Sequence, residues 1–204
     1  MNITLHQGDL PNNLSLKGVL AVDTEAMGLN NTRDRLCLVQ LCDEVGAIHL
    51  VQFARGVYNA PNLCALMSDP KRIKIFHFAR FDVAIMKQYL GVVTQPIYCT
   101  KIASKLVRTY TDRHGFKDLC RELLSVEVSK YQQTSDWGAP TLSQEQMEYA
   151  ANDVIHLHKL KDKLDTMLAR ENRTHLAQKV FDFLPTRAEL DLAGWGEIDI
   201  FAHS

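Results

Sequence analysis

The sequence predicts an α/β fold, with one mixed sheet flanked by helices in a single domain. Three features point there. Short apolar runs bounded by turn residues read as buried strands. Apolar residues at helical spacing follow several of them. The 204 residues, 46 % hydrophobic and 23 % charged, amount to about one domain with enough apolar surface for a core. Strands followed by helices, with hairpins and crossovers mixed, give a sheet covered by helices.

In chain order, residues 18–22 form an apolar run ending at Asp23, a buried strand. Residues 36–41 and 47–51 are two more, joined by the turn Asp43-Glu44-Val45-Gly46, so the first three strands form a meander. Residues 62–68 read as a short helix closed by Asp69-Pro70, and 73–77 as a fourth strand. Over 79–90, Val83, Ile85, Met86 and Leu90 recur at helical spacing, and Gly91 stops the helix. Residues 96–99 are a short strand leading into a helix over 100–107, and a further helix spans 116–124. Ser143 opens the longest helix: with Gln146 three residues on it makes a capping box, and neither Gly nor Pro interrupts the chain up to about residue 171. After Pro185, Leu190, Leu192, Trp195, Ile198, Ile200 and Phe201 are interrupted by Gly194 and Gly196. Residues 186–204 are therefore expected as a tail that packs on the body, residues 1–185, or on another subunit.

Charge and cysteine usage narrow the function classes. Lys plus Arg is 23 and Asp plus Glu 24, a net charge of −1. Proteins that grip long nucleic acid by its phosphates usually carry a basic excess or a basic face. Any nucleic acid handled here should be met locally, through bound cations, or as short pieces. The five cysteines are odd in number, scattered, and contain no C-x-x-C pair, so neither a zinc site nor a disulfide framework is expected. They read as reduced thiols of the core. His156 and His158, two apart on a helix, point to different faces and are not a zinc pair. The first twenty residues hold no apolar signal-peptide core, and no window reaches the roughly 18 apolar residues of a membrane span. A cytoplasmic protein without a membrane partner is expected.

Candidate chemistry starts with carboxylates. Asp23 and Glu25 flank one residue at the end of a buried strand, so both point to one face. Two carboxylates held together are costly unless a cation or proton relieves them, and Mg²⁺ takes such oxygen ligands. Composition alone gives about 0.65 D-x-E triplets per chain of this kind, so the triplet means little by itself. Asp82 lies in the first turn of a helix just after a strand, where the helix dipole favours an acid and where open α/β sheets place their sites. Tyr149 and Asp153, four apart, share a helix face.

Order and wording carry more than any one pair. D-x-E at a strand end, Asp on a post-strand helix and Y-x-x-x-D on a late helix form the three-motif signature of the DEDDy 3′–5′ exonucleases. Ala21 to Glu25 with Gly28-Leu29, His77-Phe78-Ala79-Arg80-Phe81-Asp82, Ser135-Asp136-Trp137-Gly138, and Gln146 with Tyr149 to Val154 resemble ribonuclease D over roughly residues 18–165. With no room for the helical RNA-binding domains of ribonuclease D, the chain looks most like the small stand-alone members called nanoRNase C. The resemblance implies a ribonuclease H-like (DnaQ-like exonuclease) sheet. It also implies hydrolysis of very short oligoribonucleotides, dinucleotides above all, to 5′-mononucleotides, and a homo-oligomer in the form of an octameric ring. Trimming of structured RNA such as tRNA precursors, or DNA 3′ exonuclease activity, are the enzymatic alternatives. A catalytically silent interaction module is the non-enzymatic one.

Residue by residue, the resemblance implies two divalent cations, Mg²⁺ or Mn²⁺, about 4 Å apart, that stabilise the attacking and leaving oxygens of an in-line displacement. Asp23, Glu25 and Asp153 hold the first, Asp23 bridges to the second, and Asp82 supports it. Tyr149 completes the catalytic set. A phenol of ordinary pKa near 10 is a poor base at neutral pH, so its implied task is to orient the attacking water. In the sister DEDDh group a His stands five residues before the Asp, and here that position is Glu148. Among substrate contacts, Met27 and Leu29 follow Glu25. Leu29 stands where related oligoribonucleases place an apolar wedge between bases, a core leucine being the alternative. His77 reads as a substrate contact or a core histidine. Arg113, His114 and Lys117 form a cationic cluster that meets a phosphate or is a solvated loop. Lys159, Lys161 and Lys163 read as the exposed face of the long helix.

Overall fold

The computed structural model describes residues 1–129, 132 and 134–203. Six strands form one mixed sheet: β1 (Ile3–Gln7), β2 (Leu20–Ala26), β3 (Leu36–Cys42), β4 (Ile48–Gln52), β5 (Lys74–Phe76) and β6 (Ile97–Cys99), in the order β1-β4-β3-β2-β5-β6. The antiparallel meander β2–β3–β4 is as the apolar runs predict. Asp43 builds its turn by accepting the backbone N–H groups of Val45 and Ala47 on one carboxylate oxygen. Every residue of β3 and β4 is buried, so both faces of this part of the sheet are covered. β1, absent from the sequence reading, pairs parallel to β4 at the sheet edge. Its residues Ile-Thr-Leu-His-Gln offer no continuous apolar run, because an edge strand is only half covered.

The crossover half begins with α1 (Pro61–Ser68), then β5 and α2 (Ala79–Leu90). Gly91 ends α2 at φ 67°, in the left-handed conformation only glycine adopts cheaply, and its N–H bonds the Lys87 carbonyl. β5 pairs with β2 only through Leu20–Lys74 and Ala21–Ile75. Beyond Ala21 no strand among the described residues covers that edge of β2, and the first turn of α2 approaches it instead. Buried Lys74 ties this region together by donating to the carbonyls of Asp69, Arg72 and Gln95. β6 leads into α3 (Thr100–Val107), and α4 (Phe116–Leu119) continues as a wider turn, Cys120–Leu124.

The long helix expected from Ser143 is two helices, α5 (Gln144–Ile155) and α6 (Leu157–Arg170). They part at His156 because they serve different neighbours: α5 packs across β2, β3 and β4, whereas α6 packs on α3 and β5. The buried stripe of α6, Leu157, Leu160, Leu164 and Leu168, keeps helical spacing of its own. Neither signal nor stop in the sequence marks that change of partner. The capping box is as read: Ser143 accepts the Gln146 N–H, and the Gln146 side chain accepts the Ser143 N–H. Ser143→Ala should therefore cost about 1 kcal/mol, a fall of roughly 2–4 °C in melting temperature for a chain of this size. Scanning calorimetry of the two proteins checks this.

A further helix, α7 (Thr174–Leu190), runs through Pro185 and lies against α2. The first residues of the tail expected over 186–204 are the end of this helix, which continues past Pro185 to Leu190 and into a wider turn, Asp191–Trp195. A proline there gives up one intrahelical bond, and burial of Ala177, Phe181, Leu184 and Ala188 against the body offsets that loss. Cys37, Cys42, Cys99 and Cys120 are buried, Cys64 is half-buried, and all five are free thiols. Among the described residues no helix is long and apolar enough to cross a membrane.

Candidate active site

Strand alternation places Asp23 and Glu25 of β2 on one face, and α5 crosses that face with Asp153 directed at them. Oxygen atoms of these three carboxylates lie within 4.8 Å of one another. Asp82 enters from the uncovered edge of β2 on the first turn of α2, where its Oδ1 accepts a 2.7 Å hydrogen bond from Thr24 Oγ1. All four acids and Tyr149 line one cleft of about 730 Å³. Behind them, the buried Gln40 of β3 stands opposite Asp23, its Nε2 3.5 Å from the Asp23 carboxylate. The buried ring of Trp137 lies 6.0 Å from that of Tyr149.

The cleft concentrates acidic groups that have no cationic partner. Among the described residues no Lys or Arg makes an ion pair with Asp23, Glu25, Asp82 or Asp153. Burial first, then the charges of Asp153 and Asp82, push Glu25 up to about 9. Burial pushes Asp82 and Asp153 up to about 7, against hydrogen bonds from Thr24 and Tyr149 respectively. Asp23 is raised well above the carboxylate range by burial and by all three neighbours. Tyr149 is raised as well, by burial and then by Asp153, Glu25 and Asp23, so its phenol remains a proton donor at neutral pH.

The remaining expectations divide. Leu29 is 89 % exposed and stands with Met27 on the lip of the cleft, which rules out the core-leucine alternative. The loop that carries it has no room for a side chain at Gly28, where a Cβ would lie 2.3 Å from Asp34 Oδ2. Asp34 in turn holds the Asn30 N–H and the Arg33 guanidinium. His77 lines the cleft, half-buried, with Nδ1 2.9 Å from Thr100 Oγ1; burial, then Lys101, push it down to about 3, so it is neutral.

Arg113 and His114 do not line the cleft. Arg113 is exposed and its carbonyl accepts from buried Arg108, while His114 Nδ1 meets Ser104 Oγ at 2.8 Å. The same turn brings Gly115, Phe116 and Lys117 to the cleft instead, and Lys117 is the one Lys or Arg among the described lining residues. Thr24 and Phe78, which line the cleft, stand inside the quoted motifs without a role assigned to them, and Gln40 was missed. Gln40 had a signal, a polar residue inside an apolar run, whereas Thr24 and Phe78 acquire their roles only when α2 meets β2.

The family model for 3′–5′ exonucleases matches residues 8–169, a span that holds all four acids and Tyr149. The chain belongs to that family. The exonuclease is 34 % identical over 154 residues to ribonuclease D of Gluconacetobacter diazotrophicus, a match covering 76 % of this chain and 39 % of that one. It thus spans about two-fifths of that relative's length. Over the whole of both chains it matches two solved structures of Brucella melitensis NrnC. The one with bound Mg²⁺ gives 52 % identity and a TM-score of 0.94. The one bound to pGG gives 53 % and 0.95. The exonuclease is of the DEDDy, ribonuclease D type, and its mixed sheet is the ribonuclease H-like sheet the resemblance implied.

Proposed function

We propose that this exonuclease degrades very short oligoribonucleotides, dinucleotides above all, from the 3′ end to 5′-mononucleotides, using two divalent cations, Mg²⁺ or Mn²⁺. The observation that carries this reading is a cleft in which four carboxylates crowd without a cationic partner and only Lys117, among the described lining residues, offers a side-chain positive charge. Mutual repulsion and burial leave the acids in want of counter-charge, and their all-oxygen donor set suits hard cations. A cleft so poor in cations has little with which to grip a long backbone. Brucella NrnC, with Mg²⁺ in one structure and the two-nucleotide pGG in another, supports the same reading.

Asp23, Glu25 and Asp153 would hold one ion, with Asp23 and Asp82 at the second. Bound there, the ions supply Lewis acidity to the scissile phosphodiester and to the attacking water. The residues do the rest. Tyr149, a neutral phenol one turn before Asp153, donates the hydrogen bond that orients that water. Leu29 and Met27 on the lip offer apolar surface to the bases, and Leu29 is placed to enter between two of them. Lys117 and the neutral imidazole of His77 meet the sugar–phosphate of the substrate. The nuclease body, expected over residues 1–185, extends to the end of α7 at Leu190, and the exposed Trp195, Ile198, Ile200 and Phe201 of the tail beyond it suit contact with further copies in a ring-shaped homo-oligomer, working in the cytoplasm.

Turnover of a 5′-labelled dinucleotide should exceed that of a long single-stranded RNA and of a tRNA precursor in side-by-side assays. EDTA should abolish all cleavage, and Mg²⁺ or Mn²⁺ should restore it. Preference for the longest substrate overturns the short-substrate assignment, and cleavage that survives EDTA overturns the metal requirement.

A further inference from the structure

The first turn of α2 carries Asp82 but is not fixed by its own sequence. Its N-cap, Phe78, sits at φ 69° without a side-chain cap bond, a left-handed conformation that a bulky residue keeps only when its surroundings impose it. The surroundings that do so lie partly in the C-terminal segment. Arg80, two residues before Asp82, donates from Nε and Nη2 to the two oxygens of Asp191 at 2.6 and 2.7 Å, and from Nη2 to the Gly196 carbonyl at 2.6 Å. This is the two-bond fork that gives arginine–carboxylate pairs their directional strength. Arg187 of α7 donates to the same Asp191 Oδ1 that accepts Arg80 Nη2, and also bonds the carbonyls of Trp195 and Gly196. Thr24 Oγ1 ties the Asp82 carboxylate itself at 2.7 Å, whereas the backbone of the turn has, besides the Arg80 fork, the bond from Asn31 Nδ2 to the Phe81 carbonyl, long at 3.4 Å.

We infer that Asp191, acting through Arg80, is a positioning residue for the nuclease site: it fixes the first turn of α2 and so the Asp82 carboxylate. The inference rests on the exonuclease reading of Asp82. The C-terminal segment is then part of the catalytic apparatus although it lies outside the span the family model matches. The molecule supplies its own comparison. Lys87 and Glu189 form another ion pair between α2 and α7, but Lys87 is about two turns beyond Arg80. Losing that pair loosens the docking of α7 without touching the turn that bears Asp82.

The test uses the full chain with a 5′-phosphorylated dinucleotide and compares Asp191→Asn with Glu189→Gln. Asp191→Asn should lower kcat about tenfold, since small misplacements of a reacting group cost factors of ten to a hundred, with KM nearly unchanged. It should also weaken Mn²⁺ binding several-fold, read by calorimetry without substrate. Glu189→Gln should leave both quantities at wild-type values. Arg80→Lys keeps the cation but loses the fork. It should show the same kcat-selective loss, and it decides the matter where Asp191→Asn does not fold. Equal losses in Asp191→Asn and Glu189→Gln, or full kcat and metal affinity in Asp191→Asn, overturn the inference. Asp82→Ala separates the two layers: if it is inactive while Asp191→Asn is normal, only the positioning role fails, whereas an active Asp82→Ala removes the nuclease-site reading itself.

Discussion

Asp153→Asn is expected to reduce turnover by roughly 10³-fold or more, because Lewis-acid stabilisation is worth several kcal/mol and each ~1.4 kcal/mol is a factor of ten. The same change should raise the melting temperature of the metal-free protein above neutral pH. In the fold Asp153 is raised to about 7 and Glu25 to about 9, whereas in the unfolded chain such groups titrate near 4. The folded state therefore holds protons that the unfolded state has released. Stability is fully present below about pH 4 and is lost progressively as pH rises through the folded pKa values. Asparagine removes the share due to Asp153, so its gain should appear at about pH 8 and vanish at about pH 4. Added Mn²⁺ should stabilise the wild type more than the variant. Calorimetry of both proteins at the two pH values, with and without Mn²⁺, and single-turnover assays provide the readouts. A variant that cleaves at wild-type rate, or that melts with the wild type at high pH, contradicts the expectation.

Tyr149→Phe should lower kcat by roughly 10²-fold, the usual cost of deleting one oriented hydrogen-bond donor at a reacting centre. KM and Mn²⁺ affinity should change little. Phenylalanine keeps the ring against Trp137 and retains all four carboxylates, losing only the hydroxyl and the hydrogen bond it gives Asp153. The raised pKa of Tyr149 excludes a tyrosinate at neutral pH, so the rate loss should be independent of pH between about 6 and 9. Full turnover in this variant would remove the orienting role.

Much of this was legible because local chemistry and tertiary need coincide. The helix over 79–90 ends at Gly91 as read, since a glycine stop depends only on its own backbone. Asp23 and Glu25 share a face because strand alternation requires it, and Ser143 caps its helix through bonds that span three residues. What escaped reading depends on partners distant in the chain. Residues 3–7 become a strand only by pairing with β4. The break at His156 exists because α5 and α6 face different layers. α7 passes through Pro185 because its apolar face is buried on α2. Of the expected cluster Arg113, His114 and Lys117, only Lys117 lines the cleft, because the chain turns inward from Gly115 onward and leaves the other two outside. Leu29 could be assigned to core or lip only once the close approach of Gly28 to Asp34 fixed the loop.

The short pairing between β5 and β2 has a wider consequence. The acids are borne by three pieces of polypeptide, the meander, the crossover helix and the late helix, and no ladder of backbone bonds fastens the last residues of β2 to the crossover. A cation held by acids on both sides would act as a clasp across that seam. Metal affinity and the ordering of that seam would then be one quantity read in two ways.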